Sequence, residues 1–438
     1  MSVWYNRLVI LVTIVLPCNL SAQEIWTLRD CIDYAKRENI QVKKSRITAE
    51  SSNVDIKQAK AELFPSLSGS ISQSYNHAKE ASNDYKYRGL FSGQYGLNAS
   101  WTVFNGNRNR NSIKQAQLQK EADDLYTEEQ QNNIEISITQ TYLQLLYARE
   151  SIKNNENIVE SSAAQLKQTK DFLDAGSITR AEYAQVEAQY SSDRYNLVLA
   201  QNSYDSYLLQ LKQLLELNMN DEFVPDFPTI GDEDIDKLVP SKYEVYQTAL
   251  QIMPEIKNNK LGIDIAEITK SSAKAGYLPT VSLNGSIGTS NIWNSSYPAF
   301  TTQLNRNFNQ YIGVSVSIPI FDNRTNKSNV EKANLQIQTA ELNYTQAQKD
   351  LLSTIENLYQ DAVSGQSKYM AAKNKLTSSE LSYTLVKEQY ELGMRNTVEL
   401  TTEQNNYANA LQELLQAKYT ALLSVKLLNF YQGKEITL

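Results

Sequence analysis

The chain is written twice. Phe64-Pro65-Ser66-Leu67-Ser68, followed by Tyr95-Gly96-Leu97-Asn98-Ala99-Ser100-Trp101 and Phe104, recurs as Leu278-Pro279-Thr280-Val281-Ser282, followed by Ile312-Gly313-Val314-Ser315-Val316-Ser317-Ile318 and Phe321. From there one register holds: Gly96/Gly313, Phe104/Phe321, Ala116/Ala333, Tyr142/Tyr359, Gly176/Gly393, Glu182/Glu399 and Tyr190/Tyr407 are all 217 positions apart. Each copy has short alternating segments followed by a very long helical pattern, so one supersecondary unit is used twice.

The first copy opens with a Gly- and Pro-free helical pattern over Leu28–Leu63, stopped by Pro65. Ser66–Gln73 and Tyr95–Phe104 alternate in the period of a strand, with a polar, aromatic loop between them that contains His77. Asn107–Ala175 then lacks both Gly and Pro; as one helix it would be about 100 Å long. Its apolar residues fall every seventh position, at Ile138, Leu145, Ile152, Val159, Leu166 and Leu173, which predicts a supercoiled helix packed along its length. The second copy keeps that spacing at Ile355, Ala362, Tyr369, Leu376, Tyr383 and Tyr390. Gly176 and Gly393 stop these helices before a reversal, and the pattern resumes over Thr179–Leu217 and Arg395–Tyr431. Each copy therefore ends in a long antiparallel helical hairpin. The second copy's remaining elements are a helix over Tyr243–Tyr277, strands over Thr280–Thr289 and Tyr311–Phe321, and a helix from Thr325 to Tyr390.

Four divisions follow: an N-terminal segment 1–22, a first repeat 23–218, an acidic connector 219–240 with Pro225, Pro228 and Pro240, and a second repeat 241–438. The connector is either a solvated linker or a belt packed on the helices. The N-terminal segment has the build of a signal peptide: Arg7, an apolar run Leu8–Leu16, and Leu20-Ser21-Ala22 before Gln23. Cys18 raises lipidation, but Pro17 stands where a lipobox wants a small residue. Cys31, the one other cysteine, reads as a packing thiol. A single histidine leaves no basis for histidine metal sites or triads. The net charge of -7 argues against nucleic acid as a partner. No nucleophile elbow or phosphate loop is present, so the sequence offers no catalytic residues, no cofactor and no metal site, and an enzyme is not expected.

The predicted strands carry Leu97, Ala99, Trp101, Val103, Ile312, Val314, Val316 and Ile318 on one face. The other face carries Ser66, Ser68, Ser70, Asn98, Ser100, Ser282, Asn284, Ser315 and Ser317. Strands of about 8–10 residues, apolar outside and polar inside, have the dimensions of a membrane barrel wall. Trp101, Tyr95, Tyr311, Trp293 and Phe104 suit interfacial belts. A sheet in lipid must close, and four strands are too few to close alone, so several chains would share one barrel. The expected fold is mainly α with a small β part: long coiled helices forming an α-barrel below four strands of a shared transmembrane β-barrel.

At these residues the chain resembles the TolC-like outer-membrane efflux family. The doubled order of helix, strand, loop, strand, long helix and hairpin carries the resemblance. Trp26-Thr27-Leu28 with Ala35, Phe64-Pro65 and Leu278-Pro279, Phe321-Asp322 with Ser328, and Tyr390 before Gly393 are further points of similarity. The resemblance implies a homotrimer with a 12-stranded barrel in the outer membrane of a Gram-negative bacterium, and a helical tunnel in the periplasm. It implies as partners outer-membrane lipid, a periplasmic adaptor and an inner-membrane pump of the RND or ABC class. The function implied is a passive exit duct for efflux or secretion. An exported coiled-coil stalk or adhesin with a small membrane anchor is the alternative. It implies, too, a periplasmic gate: Tyr390 and Arg395 in the positions of the family's gate tyrosine and arginine, Glu182 as an acceptor carboxylate, Glu399 as a constricting acid, and Gly176 and Gly393 at the hairpin turns. Ala181 and Thr402 depart from the family's polar and acidic pattern beside these positions. A ring of carboxylates at a narrow mouth favours cations. An arginine–carboxylate link would hold that mouth by about 1–3 kcal/mol where water is excluded, and by about 0–1 kcal/mol where it is not.

Overall fold

The structure is a computed structural model, and it describes residues 25–79, 87–235, 238–293 and 298–438. The signal-peptide segment and Cys18 lie outside the described residues. The N-terminal arm runs β1 (Ile25–Trp26), α1 (Leu28–Glu38) and α2 (Ile40–Ala61). The first strand pair is β2 (Ser66–Lys79) and β3 (Tyr87–Phe104), and the first hairpin α3 (Arg108–Asp174) and α4 (Arg180–Leu214). The connector holds β4 (Val224–Pro225) and α5 (Asp232–Ile235). The second copy follows as α6 (Lys242–Ile252), α7 (Pro254–Lys274), β5 (Thr280–Trp293), α8 (Phe300–Arg306), β6 (Asn309–Ser317), α9 (Thr325–Glu391) and α10 (Thr397–Tyr431).

The duplication is visible in the backbone itself. The left-handed conformation occurs at Gly106, Asn107, Gly176 and Glu216, and again at Asn323, Arg324, Gly393 and Gly433, in the same 217-residue register. Strand-to-helix turns, hairpin tips and hairpin ends are thus built identically. Glycine takes this conformation without cost, whereas an L-residue pays about 1–2 kcal/mol. Glu216 is held there by its side chain, which accepts a hydrogen bond from Ile40 N at 3.2 Å.

The structure corrects several sequence expectations. The first helix is broken at Asn39, whose side chain caps Gln41 N at 2.9 Å and donates to Leu214 O at 3.2 Å. The equivalent helix in the second copy breaks at Met253, because Pro254 has no N–H and starts a new helix. The strands are 14, 18, 14 and 9 residues long, so three of them run well past the expected ends. His77 lies in β2 rather than in a loop, while Ile318–Phe321 falls outside β6. Helix α8 had no counterpart in the sequence reading. The connector is a packed belt, not a solvated linker: β4 pairs in parallel with β1, and Ile230 and Ile235 are buried.

The four long strands form one antiparallel sheet in the order β2-β3-β5-β6, with no partner on the outer edges of β2 and β6 among the described residues. Leu67, Ile71, Leu97, Ile287, Ile312 and Val314 are all exposed on the side of the sheet fixed by the register. On the opposite side Ser66 lies across from Ser100, and Ser100 Oγ donates to Asn284 Oδ1 at 3.1 Å. Among the described residues no helix is long and apolar enough to cross a membrane.

The main core sits midway down the helices, where the connector belt wraps them. Ile138, Tyr142, Leu143 and Leu145 of α3 meet Leu422, Val425 and Leu428 of α10, with Ile355 of α9 and Val245 of α6. Cys31 is fully buried there, and burial pushes its thiol up to about 12, which fits a packing role. Tyr142 donates its hydroxyl to Asp226 O at 2.7 Å and so stitches α3 to the belt.

Candidate functional site

The predicted gate residues cluster at the free ends of the two hairpins. Each tip closes with the same hydrogen bonds: Gly176 N to Leu173 O and Ser177 N to Phe172 O, both 2.9 Å, and Gly393 N to Tyr390 O at 2.9 Å and Met394 N to Gln389 O at 2.8 Å. This is the Schellman closure, and it needs the left-handed residue that Gly176 and Gly393 supply. Nothing lies within 4 Å of where a Cβ would stand on either glycine, so the requirement is conformational and not steric.

Each return helix starts with a capping box. Glu182 accepts from Thr179 N at 2.7 Å and from Thr179 Oγ1 at 2.9 Å. Glu399 accepts from Asn396 N at 3.2 Å. Backbone N–H donation from the cap holds both carboxylates below the usual range, and for Glu399 the neighbouring Arg395 adds to the effect. Arg395 reaches Glu399 Oε1 at 2.9 Å and Gln389 Oε1 at 2.8 Å, within its own hairpin. Within one chain the structure therefore joins Arg395 to Glu399 and does not join it to Glu182. Tyr390 is different. Its ring is buried against Phe172 and Leu400, and its hydroxyl lies 3.3 Å from Thr169 Oγ1 on the other hairpin.

That contact is the lowest rung of a seam that sequence reasoning missed. Tyr419 OH donates to Glu150 Oε1 at 3.0 Å, and Lys418 Nζ donates to the same oxygen at 3.2 Å. Ser151 donates to Gln412 at 3.3 Å, and Gln412 also bonds Tyr147 OH. Ser161 Oγ and Tyr383 OH are 3.0 Å apart, with Tyr383 stacked on Tyr407. Gln189 and Asn405 exchange amide bonds of 3.1 and 3.2 Å. Asp193, only 4% exposed, accepts from Gln404 Nε2 at 3.0 Å and from Gln189 Nε2 at 2.9 Å. Burial raises its carboxyl above the usual aspartate range. Two further polar atoms of the seam, Gln165 Oε1 and Thr397 Oγ1, are buried without a partner among the described residues. No group of acidic, histidine or cysteine side chains with the makings of a metal site occurs among the described residues.

The heptad reading needs a matching correction. In the second copy Ile355, Ala362, Tyr369, Tyr383 and Tyr390 are buried, as the period predicts. In the first copy only Ile138 and Leu145 of the seventh-position residues are; below Ala148 the buried residues of α3 are Ser151, Ser162, Gln165 and Thr169.

The arrangement is a sheet with an apolar outer face and, among the described residues, two unpaired edges, joined to a shaft of helices whose hairpins end in glycine turns. The chain is 23% identical to the outer membrane protein TolC of Escherichia coli over 416 residues, covering 92% of this chain and 81% of that protein. Its fold matches crystal structures of CusC, with a TM-score of 0.79, 18% identity, and 93% and 92% of the two chains covered. It also matches the CmeC outer membrane channel of Campylobacter jejuni, with a TM-score of 0.78, 20% identity, and 94% and 87% covered. The model of the family described as "Outer membrane efflux protein" matches residues 31–216 and 245–434. The chain belongs to the outer membrane efflux protein family: it is one subunit of an oligomeric outer-membrane barrel with a periplasmic helical shaft, a non-enzymatic exit duct that works with an adaptor and an inner-membrane pump.

Proposed function

We propose that three copies of this chain assemble into the duct, each contributing four strands to a 12-stranded barrel. The observation that carries this reading is the open sheet: an apolar outer face bounded by two edges, β2 and β6, that are unpaired among the described residues. Lipid tolerates neither an open edge nor a four-stranded closure, and three copies reach a strand number that closes around water. Native mass spectrometry of detergent-extracted protein should give a trimer, and a monomer that conducts no ions after reconstitution would overturn the reading.

At the periplasmic mouth, Tyr390, Arg395, Glu182 and Glu399 form the gate, and Gly176 and Gly393 are its turns. Tyr390 ties one hairpin to the other through Thr169, while the two carboxylates, kept ionised by their caps, ring the opening. Arg395 is 45% exposed, so its link to Glu399 contributes little on its own, and its weight comes from threefold repetition. Replacing Tyr390 and Arg395 together, as Tyr390→Phe with Arg395→Ala, should raise single-channel conductance in planar bilayers. An unchanged conductance removes these residues from the gate. The pump is of the RND or ABC class and, with its adaptor, selects the cargo. Residues 23–218 and 241–438 act as the two repeats of the shaft, joined by the belt 219–240.

A further inference from the structure

Among the described residues Asp193 is the one buried carboxylate at the seam between the hairpins below the belt, and the gate as proposed does not use it. It sits on α4, with the Ser162 hydroxyl of α3 against it, Gln189 of its own helix on one oxygen and Gln404 of α10 on the other. It thus touches both helices of the first hairpin and one of the second. We propose that Asp193 is a proton-operated latch: taking up a proton tightens the two hairpins on each other and narrows the periplasmic mouth. This inference rests on the reading of the chain as a gated duct.

The chemistry around the carboxylate supports it. The charged and titratable groups nearest in sequence to these contacts are Glu160 and Lys167 on α3, Glu380, Tyr383 and Lys387 on α9, Glu403 and Tyr407 on α10, and Glu187, Tyr190 and Arg194 on α4 itself; what acts on the Asp193 carboxyl is burial with the hydrogen bonds of Ser162 and Gln189, and no charged group is among these influences. The ionised carboxylate is therefore met only by neutral amide and hydroxyl groups. A buried charge without a counter-charge is costly, and protonation removes that cost. Among the described residues the Gln404 side chain bonds only Asp193, so its amide can turn to present Oε1 to the O–H that protonation creates.

The sign follows from burial. The packed seam holds the proton more tightly than an opened one, in which Asp193 meets water and titrates in the ordinary range. Acid therefore adds closing free energy, fully present below the ordinary aspartate range and lost as pH rises through the raised value of the packed state. Glu182 and Glu399 titrate below the usual range and stay charged across most of that window.

The test uses the full-length reconstituted channel. Wild-type conductance should fall several-fold between neutral pH and the ordinary aspartate range. Asp193→Asn, neutral and nearly isosteric, should hold the low conductance at neutral pH and lose that titration. Asp193→Glu should keep a titration with a shifted midpoint. A second readout does not depend on conduction: in detergent, Asp193→Asn should melt at a higher temperature than wild type at neutral pH and at the same temperature in acid. A pH-independent wild type, or an Asn variant that titrates like wild type, overturns the latch. So does a melting difference that stays constant with pH. If the Tyr390/Arg395 double variant opens the channel while Asp193→Asn changes nothing, the gate reading stands and this inference alone fails.

Discussion

The same three helices pass through two interiors of opposite character. At the belt, α3, α9 and α10 bury Ile138, Tyr142, Leu145, Ile355, Leu422 and Leu428 in one continuous apolar core. Lower down, the same helices bury Ser162, Gln165, Thr169, Gln404 and Thr397, with Asp193 added from α4. There Tyr383, Tyr390 and Leu400 form a small apolar cluster, with Phe172, Val386 and Tyr407 packed against it. Apolar burial is non-directional and contributes about 25 cal/mol per Å², whereas a protein hydrogen bond nets about 1 kcal/mol because water offers a replacement. A polar seam therefore separates at far lower cost than an apolar one of equal area. The belt fixes the two hairpins to each other, and in the gate proposed above the seam below is where they would part.

The sharpest way to break this comparison is to remove a large side chain from the belt. Tyr142→Ala takes away a ring that is almost fully buried and the hydroxyl that holds the Asp226 carbonyl. We expect a loss of about 3–5 kcal/mol, read as a large fall in melting temperature by circular dichroism in detergent, with both hairpins affected together. A small loss would mean that the belt is not the fixed point. Next in size is Gly365→Ala, at the junction of the two regions. A Cβ at Gly365 would lie 2.9 Å from Ala421 Cα, so α9 and α10 must move apart. Overpacking of this kind costs about 1–3 kcal/mol. Because the strain enters at the top of the second hairpin, the same variant should also raise the channel's conductance if the helices below spread.

Most of the fold was legible because its signals are local. Alternation in the strands, the Gly176 and Gly393 stops and the 217-residue register each depend on nearby residues alone, and the duplication let each half check the other. The strand extensions Ser74–Lys79 and Tyr87–Gln94 were missed because serine, asparagine and glycine there read as loop, although pairing across the hairpin holds them as strand. The break at Asn39 was hidden because asparagine is unremarkable in a helical pattern until its side chain finds Leu214 O, 175 positions away. At the site, the tip residues carried their own signature: a glycine stop, then a capping box at Thr179 and Asn396. The seam carried none. Ser162, Thr169, Gln404 and Asp193 have the residue types of a solvated helix face, and only the packing of one hairpin on the other buries them.

The smallest predicted effect sharpens the comparison most, because it asks whether the lower seam is built for stability at all. Thr397 is 1% exposed at the start of α10, and its Oγ1 has no partner among the described residues. An unmade buried hydrogen bond costs about 1–3 kcal/mol, most of which an isosteric apolar group recovers. Thr397→Val should therefore leave the melting temperature unchanged or raise it slightly, by the equivalent of about 0–1 kcal/mol. A seam selected for strength would not retain such an orphan, whereas one that must open gains from a hydroxyl that water can reach when the hairpins part. The same Val variant should accordingly lower the channel's mean conductance, because removing that hydroxyl favours the packed state over the wetted one. Loss of stability in Thr397→Val would instead show that Oγ1 is bonded in the assembled duct, and would place this part of the seam with the belt as a fixed contact.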